Sequence, residues 1–506
     1  MENYIFISIS SLILYGLLRI VYAFWWRPKS LEKHFRQQGI GGTSYSLFHD
    51  DTEEIIQSSK EAWSKPMPLN HHISPYVLPF FHQMMQKYGK VSMSWMETKP
   101  RLTVADPELI KLVLNDKFGQ FIKPPLNPLV HILQQGVAQL EGEKWAKRRR
   151  LITAAFHLEK LKGMEPAFSR SCFDLINRWK KFSSLGTCEL DVVPEFHNLA
   201  GDVISRTAFG SSYEEGKKIF EFQKEQATLV LEAYYSFYFP GLRFIPTKKN
   251  RRRYHLDKEI KATLREIIHK KEQTMKNNRE SSNHDLLGLL LQSIEETENN
   301  FTIEDVIEEC KLFYFAGQET TAIWLTWTMI LLSMNPNWQE KARQEVLSTC
   351  GKKMPNIENL NHLKIVSMIL HEVLRLYPPI TATTRYTSKN ANIGEISIPP
   401  GVDVQLPFLF LHYDPKYWGD DVEEFKPERF AEGVSKASKD QLAFYPFGWG
   451  PRICLGMNFA MIEAKMALAM ILQHFSFELS PSYTHSPYTV ITLQPQHGAP
   501  IILHQI

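Results

Sequence analysis

Phe447-Gly448-Trp449-Gly450-Pro451-Arg452-Ile453-Cys454-Leu455-Gly456 is the stretch on which the reading of this chain turns. It sets one cysteine in a glycine-rich turn, two residues after an arginine and just before a segment of helical period at 457–474. A tight turn points backbone N–H groups at the sulfur, and Gly450 and Gly456 give the backbone its close approach. The dipole of the helix that follows favours an anionic sulfur as well. A lone cysteine between glycines is more often a buried core thiol than a ligand. The complete F-x-x-G-x-R-x-C-x-G string reverses that.

The rest of the composition narrows the setting. Cys172, Cys188, Cys310 and Cys350 form no CxxC pair and have no zinc spacing. An odd count in a large chain suggests a reducing compartment rather than a disulfide framework. The net charge of +3 over 506 residues gives no basis for nucleic-acid binding. Hydrophobic residues at 43% are enough to build a substantial core.

The first residues pose a different solvent problem. Tyr4 to Trp26 reads YIFISISSLILYGLLRIVYAFWW before Arg27, Pro28 and Lys29. About 23 helical residues span roughly 34 Å, enough to cross a bilayer core. Trp25 and Trp26 suit the headgroup level, and Lys29, Lys33 and Arg36 place the following chain in the cytosol. Arg19 lies near enough to that end to snorkel. A cleaved signal peptide would have a shorter apolar region and small residues at its end, where this chain has Phe24-Trp25-Trp26. The expectation is an anchor at 1–26, a linker at 27–60 and one large domain at 61–506.

Val91, Met93 and Trp95 alternate with serines, and with Leu102 and Val104 they predict a hairpin. Helical period predicts helices near 143–157, 158–182, 195–210, 212–235, 250–278, 302–334, 336–349, 362–377 and 457–474. Short β pieces are expected near 383–388, 393–398 and 402–406, and a polar loop at Lys276 to His284. The fold class is mainly α with small β-sheets, preceded by a transmembrane helix.

A thiolate on haem iron pushes electron density onto the metal and favours O–O cleavage. Cys454 is therefore expected as the axial ligand and Arg452 as a cation for a haem propionate. Three further motifs stand in matching order. They are Ala316-Gly317-Gln318-Glu319-Thr320-Thr321, Glu372-x-x-Arg375 with Arg429 of Pro427-Glu428-Arg429-Phe430, and Trp145-x-x-x-Arg149. With them the sequence resembles the eukaryotic microsomal cytochromes P450 along essentially its whole length.

That resemblance implies the P450 fold, haem b and a monooxygenase reaction. It implies that Glu319 and Thr320 relay protons, on a long helix loosened by Gly317 and the threonine hydroxyl. It implies that Glu372, Arg375 and Arg429 form a buried network fixing the cysteine loop. Trp145, Arg149, Arg385 and Arg452 are carried over as partners of the haem propionates. Phe447, Gly450 and Gly456 join Cys454 as cofactor-binding residues. Lys144, Lys147, Arg148 and Arg150 read either as a solvated basic face or as a docking surface for an acidic flavin reductase.

Within the family, RPKSLEKHFRQQGIGG, PRLTVADPELI and GEKWAKRRRLITAAFH resemble plant family 72 and its relatives. Members of that group oxidise terpenoid, steroid-like and iridoid compounds, including hormones. The implied function is NADPH- and O2-dependent oxidation of a hydrophobic small molecule on the cytosolic side of the endoplasmic reticulum membrane. Electrons would come through a separate reductase, because no G-x-G-x-x-G fingerprint occurs. A reductase-independent haem-thiolate isomerase or lyase and a non-catalytic haem sensor are the rival classes. Leu126 to Leu133, Tyr234 to Pro240 and Pro379 to Ala382 are candidate pocket walls, the aromatic run serving equally well as core.

Overall fold

Pro28 shapes the first stretch of chain. Helix α1, Glu2–Val21, passes through a π-helical turn at Tyr22–Trp26 into α2, Arg27–Gln37. Pro28 has no N–H to donate to the Phe24 carbonyl, so the ladder widens there. The freed carbonyl accepts from the Tyr45 hydroxyl instead. The side chains from Tyr4 to Trp26 are almost all exposed, whereas Leu31 and Phe35 of α2 are buried. The helical run Tyr4–Gln37, with a hydropathy of 1.9, is long and apolar enough to cross a membrane. It fits a single-pass anchor.

The computed structural model describes residues 2–47, 50–133, 135–184, 186–236, 238–239, 241–277, 285–295 and 301–506. Of the loop expected at 276–284, residues 278–284 lie outside this set. The chain forms two compact units. The first comprises 1–65, 73–125 and 382–411. Its six-stranded sheet runs Gly41–Gly42, Val91–Met96, Lys99–Val104, Asp403–Leu406, Thr383–Thr387 and Phe121–Ile122. The predicted hairpin pairs Val91 with Val104 and Trp95 with Pro100. Residues 27–60, expected as a linker, contain α2 and a helix at Asp51–Trp63. Asp51 there accepts from Thr43 Oγ1 and from the Trp95 N–H, both at 2.6 Å.

The second unit comprises 66–72, 126–381 and 412–506. Its principal helices for the site are α3 (Gly142–Ala155), α4 (Val192–Phe209), α5 (Tyr213–Tyr234), α6 (Lys248–Asn277), α7 (Ile303–Met334), α8 (Lys364–Leu376) and α9 (Met457–His474). The segment expected as one helix over 158–182 divides into Leu158–Gly163 and Glu165–Phe182. Pro166 cannot donate to the carbonyl four residues back, so the first helix stops and a second begins.

Helix α7 is the axis of this unit. Thr302 and Asp305 cap its start reciprocally, and Asn335-Pro336 ends it. It is buried continuously from Thr321 to Leu332, as an all-round apolar helix must be. The loosening expected at Gly317 is absent, and α7 runs unbroken from Ile303 to Met334. Thr320 Oγ1 donates to the Ala316 carbonyl at 2.8 Å without removing that turn from the helix. Gly317 has a packing role instead. A Cβ there would stand 2.7 Å from Ile204 Cγ1 on α4. Gly201 on α4 is also tight, with a Cβ meeting Gln318 Nε2 and the Tyr213 ring at 3.0 Å. Two glycines thus let α4 and α7 lie close together.

Candidate active site

The turn around Cys454 closes on itself. The Cys454 N–H donates to the Phe447 carbonyl at 2.9 Å, and Gly448 and Gly450 take left-handed φ values of 74° and 72°. L side chains rarely adopt these values, which explains both glycines. Phe447 packs edge-on against Trp324 of α7 at 6.1 Å, and the Trp324 indole donates to the Leu370 carbonyl of α8 at 3.0 Å. Of the five cysteines, Cys454 is the exposed one, while Cys172, Cys310 and Cys350 are buried. Its sulfur nonetheless stands deep among protein atoms. Burial pushes the thiol up, while the Gly456 N–H and the Arg149 charge pull the other way.

Helix α3 supplies the side chains next to this turn. Arg149 Nη2 donates to the Ile453 carbonyl at 2.5 Å. The Arg452 guanidinium lies over the Trp145 ring at 4.5 Å, donates to the Leu140 carbonyl at 2.8 Å and pairs with Glu141. Trp145, Arg149, Arg452 and Cys454 are thus gathered into one place. Arg385 belongs to the first unit, where its Nη1 donates to Thr383 Oγ1 and the Thr384 carbonyl. Arg148, read from sequence as part of the basic face, points inward. It pairs with Glu309 at 2.7 Å and Asp305 at 3.2 Å. Lys144, Lys147 and Arg150 are exposed.

The Glu372–Arg375 pair is fully buried, with Nε–Oε2 at 2.8 Å and Nη2–Oε1 at 2.7 Å. The remaining guanidinium hydrogens go to the carbonyls of His412, Val422 and Glu424. Arg429 Nε stands 3.5 Å from Glu372 Oε1, and its Nη1 donates to the Trp418 carbonyl. Sequence reasoning missed how this cluster reaches the cysteine turn. His412 Nδ1 donates to the Arg375 carbonyl at 3.1 Å, and its Nε2 accepts from the Tyr445 N–H at 3.1 Å. Only the neutral tautomer with hydrogen on Nδ1 satisfies both. Burial and the Arg375 charge hold His412 at about 3, which keeps it neutral.

On α7, Thr320 and Glu319 have different partners. Glu319 Oε2 faces His197 Nε2 of α4 at 3.1 Å. Its Oε1 accepts from Thr492 Oγ1 at 2.6 Å and Gln494 Nε2 at 2.5 Å. Thr492 ends the turn of the hairpin Pro487–Thr489 and Leu493–Pro495, and Gln494 lies in its second strand. Burial opposes charge on Glu319, yet His197, Thr492 and Gln494 hold its carboxyl below the usual range.

An apolar cluster gathers Leu129, Val130 and Leu133 with Ala227, Val230 and Ala233 of α5. Leu126, Tyr234, Tyr238, Phe315 and Ile491 pack against it. Two of the sequence-expected walls therefore meet here, although Phe237 and Pro240 lie outside the described residues. The third wall is represented by Pro379, whose carbonyl accepts from the Leu493 N–H at 3.0 Å. Lys311 ties Ile132, which packs on this cluster, to acidic partners. Its buried ammonium donates to the Ile132 carbonyl at 2.9 Å and Asp257 at 2.6 Å, and pairs with Glu308.

A cysteine whose sulfur meets the Gly456 N–H, with an indole and two guanidinium groups gathered nearby, fits a haem with its acidic edge. The family description "Cytochrome P450" matches residues 70–498. The chain belongs to the cytochrome P450 family. This P450 is 53% identical over 494 residues to Cytochrome P450 CYP72A616 of Paris polyphylla, covering 95% of each chain. It is 51% identical to the 11-oxo-beta-amyrin 30-oxidase of Glycyrrhiza uralensis, over 96% of this chain and 95% of that one. It is 47% identical to the 7-deoxyloganic acid hydroxylase of Catharanthus roseus, over 100% and 99%. The P450 is a monooxygenase of the haem-thiolate class.

Proposed function

We propose that this P450 oxidises a C–H bond of a hydrophobic plant terpenoid, steroid-like or iridoid compound, with electrons from NADPH through a separate flavin reductase. The observation that carries the reading is the Cys454 turn, whose sulfur meets the Gly456 N–H and the Arg149 charge. Cys454 would be the axial ligand, framed by Phe447, Gly450 and Gly456. Trp145, Arg149 and Arg452 would hold the propionates. Haem bound in this way supplies the activation of dioxygen. The chain's part is to bind, orient and exclude water.

The substrate class has two supports. The cluster of Leu129, Val130, Val230 and Ile491 offers an apolar wall, and two relatives are named for oxidising an amyrin and deoxyloganic acid. Exposed Phe239, Phe244 and Ile245 beyond α5 suit contact with lipid. The catalytic unit would then lie on the cytosolic face of the endoplasmic reticulum membrane, with α1 as its anchor. Lys144, Lys147 and Arg150 form the cationic face for the reductase, where charge mainly raises the encounter rate.

The test uses microsomes holding the full chain and the reductase, labelled dioxygen and panels of triterpenoid and iridoid substrates. The reading expects products with one labelled oxygen, formed only with NADPH and reductase. Product without reductase, from a peroxide substrate, would instead support an isomerase or lyase.

A further inference from the structure

His197 and Glu319 sit 3.1 Å apart on two helices that Gly201 and Gly317 allow to approach closely. The hydrogen bonds decide where protons lie. His197 Nδ1 faces the Val193 carbonyl at 2.9 Å, an acceptor only, so Nδ1 carries hydrogen. Nε2 faces a carboxylate oxygen, and that contact also requires one hydrogen. The pair therefore holds a proton either as imidazolium and carboxylate or as imidazole and carboxylic acid. The other carboxylate oxygen is already taken by two donors, Thr492 and Gln494. Oε2 is therefore the oxygen open to protonation, and His197 stands beside it.

We propose that His197 is the proton-donating partner of Glu319 and sets its readiness to deliver a proton on the Thr320 side of α7. The proposal rests on the monooxygenase reading above. In the step, the Nε2–H bond of the imidazolium breaks and an O–H bond forms at Oε2. Neutral His197 and a carboxylic acid result, with no electron transferred. The acid then gives that proton to a water on the Thr320 side of α7, and Nε2 regains one from solvent, since His197 keeps about a fifth of its side-chain surface exposed. The hairpin adds a link to substrate. Ile491 packs on the apolar cluster, and its neighbour Thr492 holds Oε1. A ligand that shifts Ile491 would alter the grip on Glu319.

The electrostatics keep the resting proton on His197, since its partners hold Glu319 below the ordinary carboxyl range. Burial opposes the imidazolium, but Glu319 and the Val193 carbonyl outweigh it and raise His197 above its ordinary value, against Lys224. Tyr488 of the hairpin also feels the Glu319 charge. A histidine raised in this way stabilises the fold fully below its unfolded value of about 6.5, and loses that contribution as pH rises through its folded value.

Full-length haem-loaded wild type, His197→Gln, Glu319→Gln and the double variant are compared in two ways. With reductase, NADPH consumed, product formed and hydrogen peroxide released are measured from pH 6 to 9. Without turnover, melting temperatures are measured over the same range. Product per NADPH should fall as pH rises in wild type. In His197→Gln it should be lower by about tenfold at pH 6.5 and flat with pH, less than a full general-acid effect because water partly substitutes. The double variant should be no worse than Glu319→Gln, and the wild-type advantage in melting temperature over His197→Gln should shrink above pH 6.5. A His197→Gln enzyme with wild-type coupling and pH profile, or a melting difference constant with pH, overturns the proposal. If wild type forms no NADPH-dependent product, the functional reading falls, and the melting profile alone decides the pair.

Discussion

Arg149 and Ile453, 304 residues apart, are joined by a hydrogen bond from Nη2 to the carbonyl oxygen at 2.5 Å. The bond fixes the peptide immediately before Cys454, so α3 positions the sulfur as well as lying beside it. A hydrogen bond from a charged donor contributes about 1.5–3 kcal/mol. Arg149→Leu should therefore release haem to a scavenger protein about ten- to a hundredfold more readily than wild type. Unchanged release would mean that this contact does not hold the loop.

Glu372 and Arg375 lie fully buried, so removing one partner strands the other. Arg375→Ala should cost about 3–5 kcal/mol and yield little haem-bound protein. The double change Glu372→Ala with Arg375→Ala should cost less than the sum of the two single changes. Melting temperature and haem content measure both. Strict additivity would show that the pair does not act as a unit.

Acid should weaken the second unit through histidines that are buried neutral. Burial holds His412 and His71 at about 3 and His485 at about 4. Below about 6.5 the unfolded chain takes up protons that the folded chain refuses, so stability falls with pH until those folded values are reached. Each group adds a slope of about 1.4 kcal/mol per pH unit well below 6.5. Melting of the haem-loaded chain between pH 7.5 and 5 should show this loss, and His485→Gln should reduce its slope. An unchanged slope in that variant would contradict the assignment.

The cysteine turn, the Glu372–Arg375 pair and the Trp145–Arg149 face were all legible in the sequence. Each is a local spacing, three or four residues along one helix or a few within one turn. What joins them was not legible. His412 meets Arg375 across 37 residues and Tyr445 across 33, and a lone histidine in sequence carries no sign of either. His197 and Thr492 reach Glu319 across 122 and 173 residues. Their convergence depends on how closely α4 and α7 pack, and the available signal was a glycine in each helix. The helices at Asp51–Trp63, Pro79–Tyr88, Pro107–Leu114 and Leu286–Glu295 escaped as well. Three of them have ten residues or fewer, and two begin on a proline, which reads as punctuation in sequence.

Gly317 tests that packing directly. A Cβ at this position meets the branched, stiff side chain of Ile204 at 2.7 Å, so Gly317→Ala should cost about 1–3 kcal/mol. Shortening the obstacle with Ile204→Ala should recover part of the loss. If Gly317→Ala melts with wild type, the close approach of α4 and α7 is not required.

The central claim is that the Cys454 thiolate binds the haem iron. The most direct measurement is the absorption spectrum of the reduced, carbon-monoxide-bound protein for wild type and Cys454→His. The account predicts a strongly red-shifted Soret band in wild type and its loss in Cys454→His, even where that variant retains haem. A Cys454→His protein that keeps the red-shifted band would contradict it.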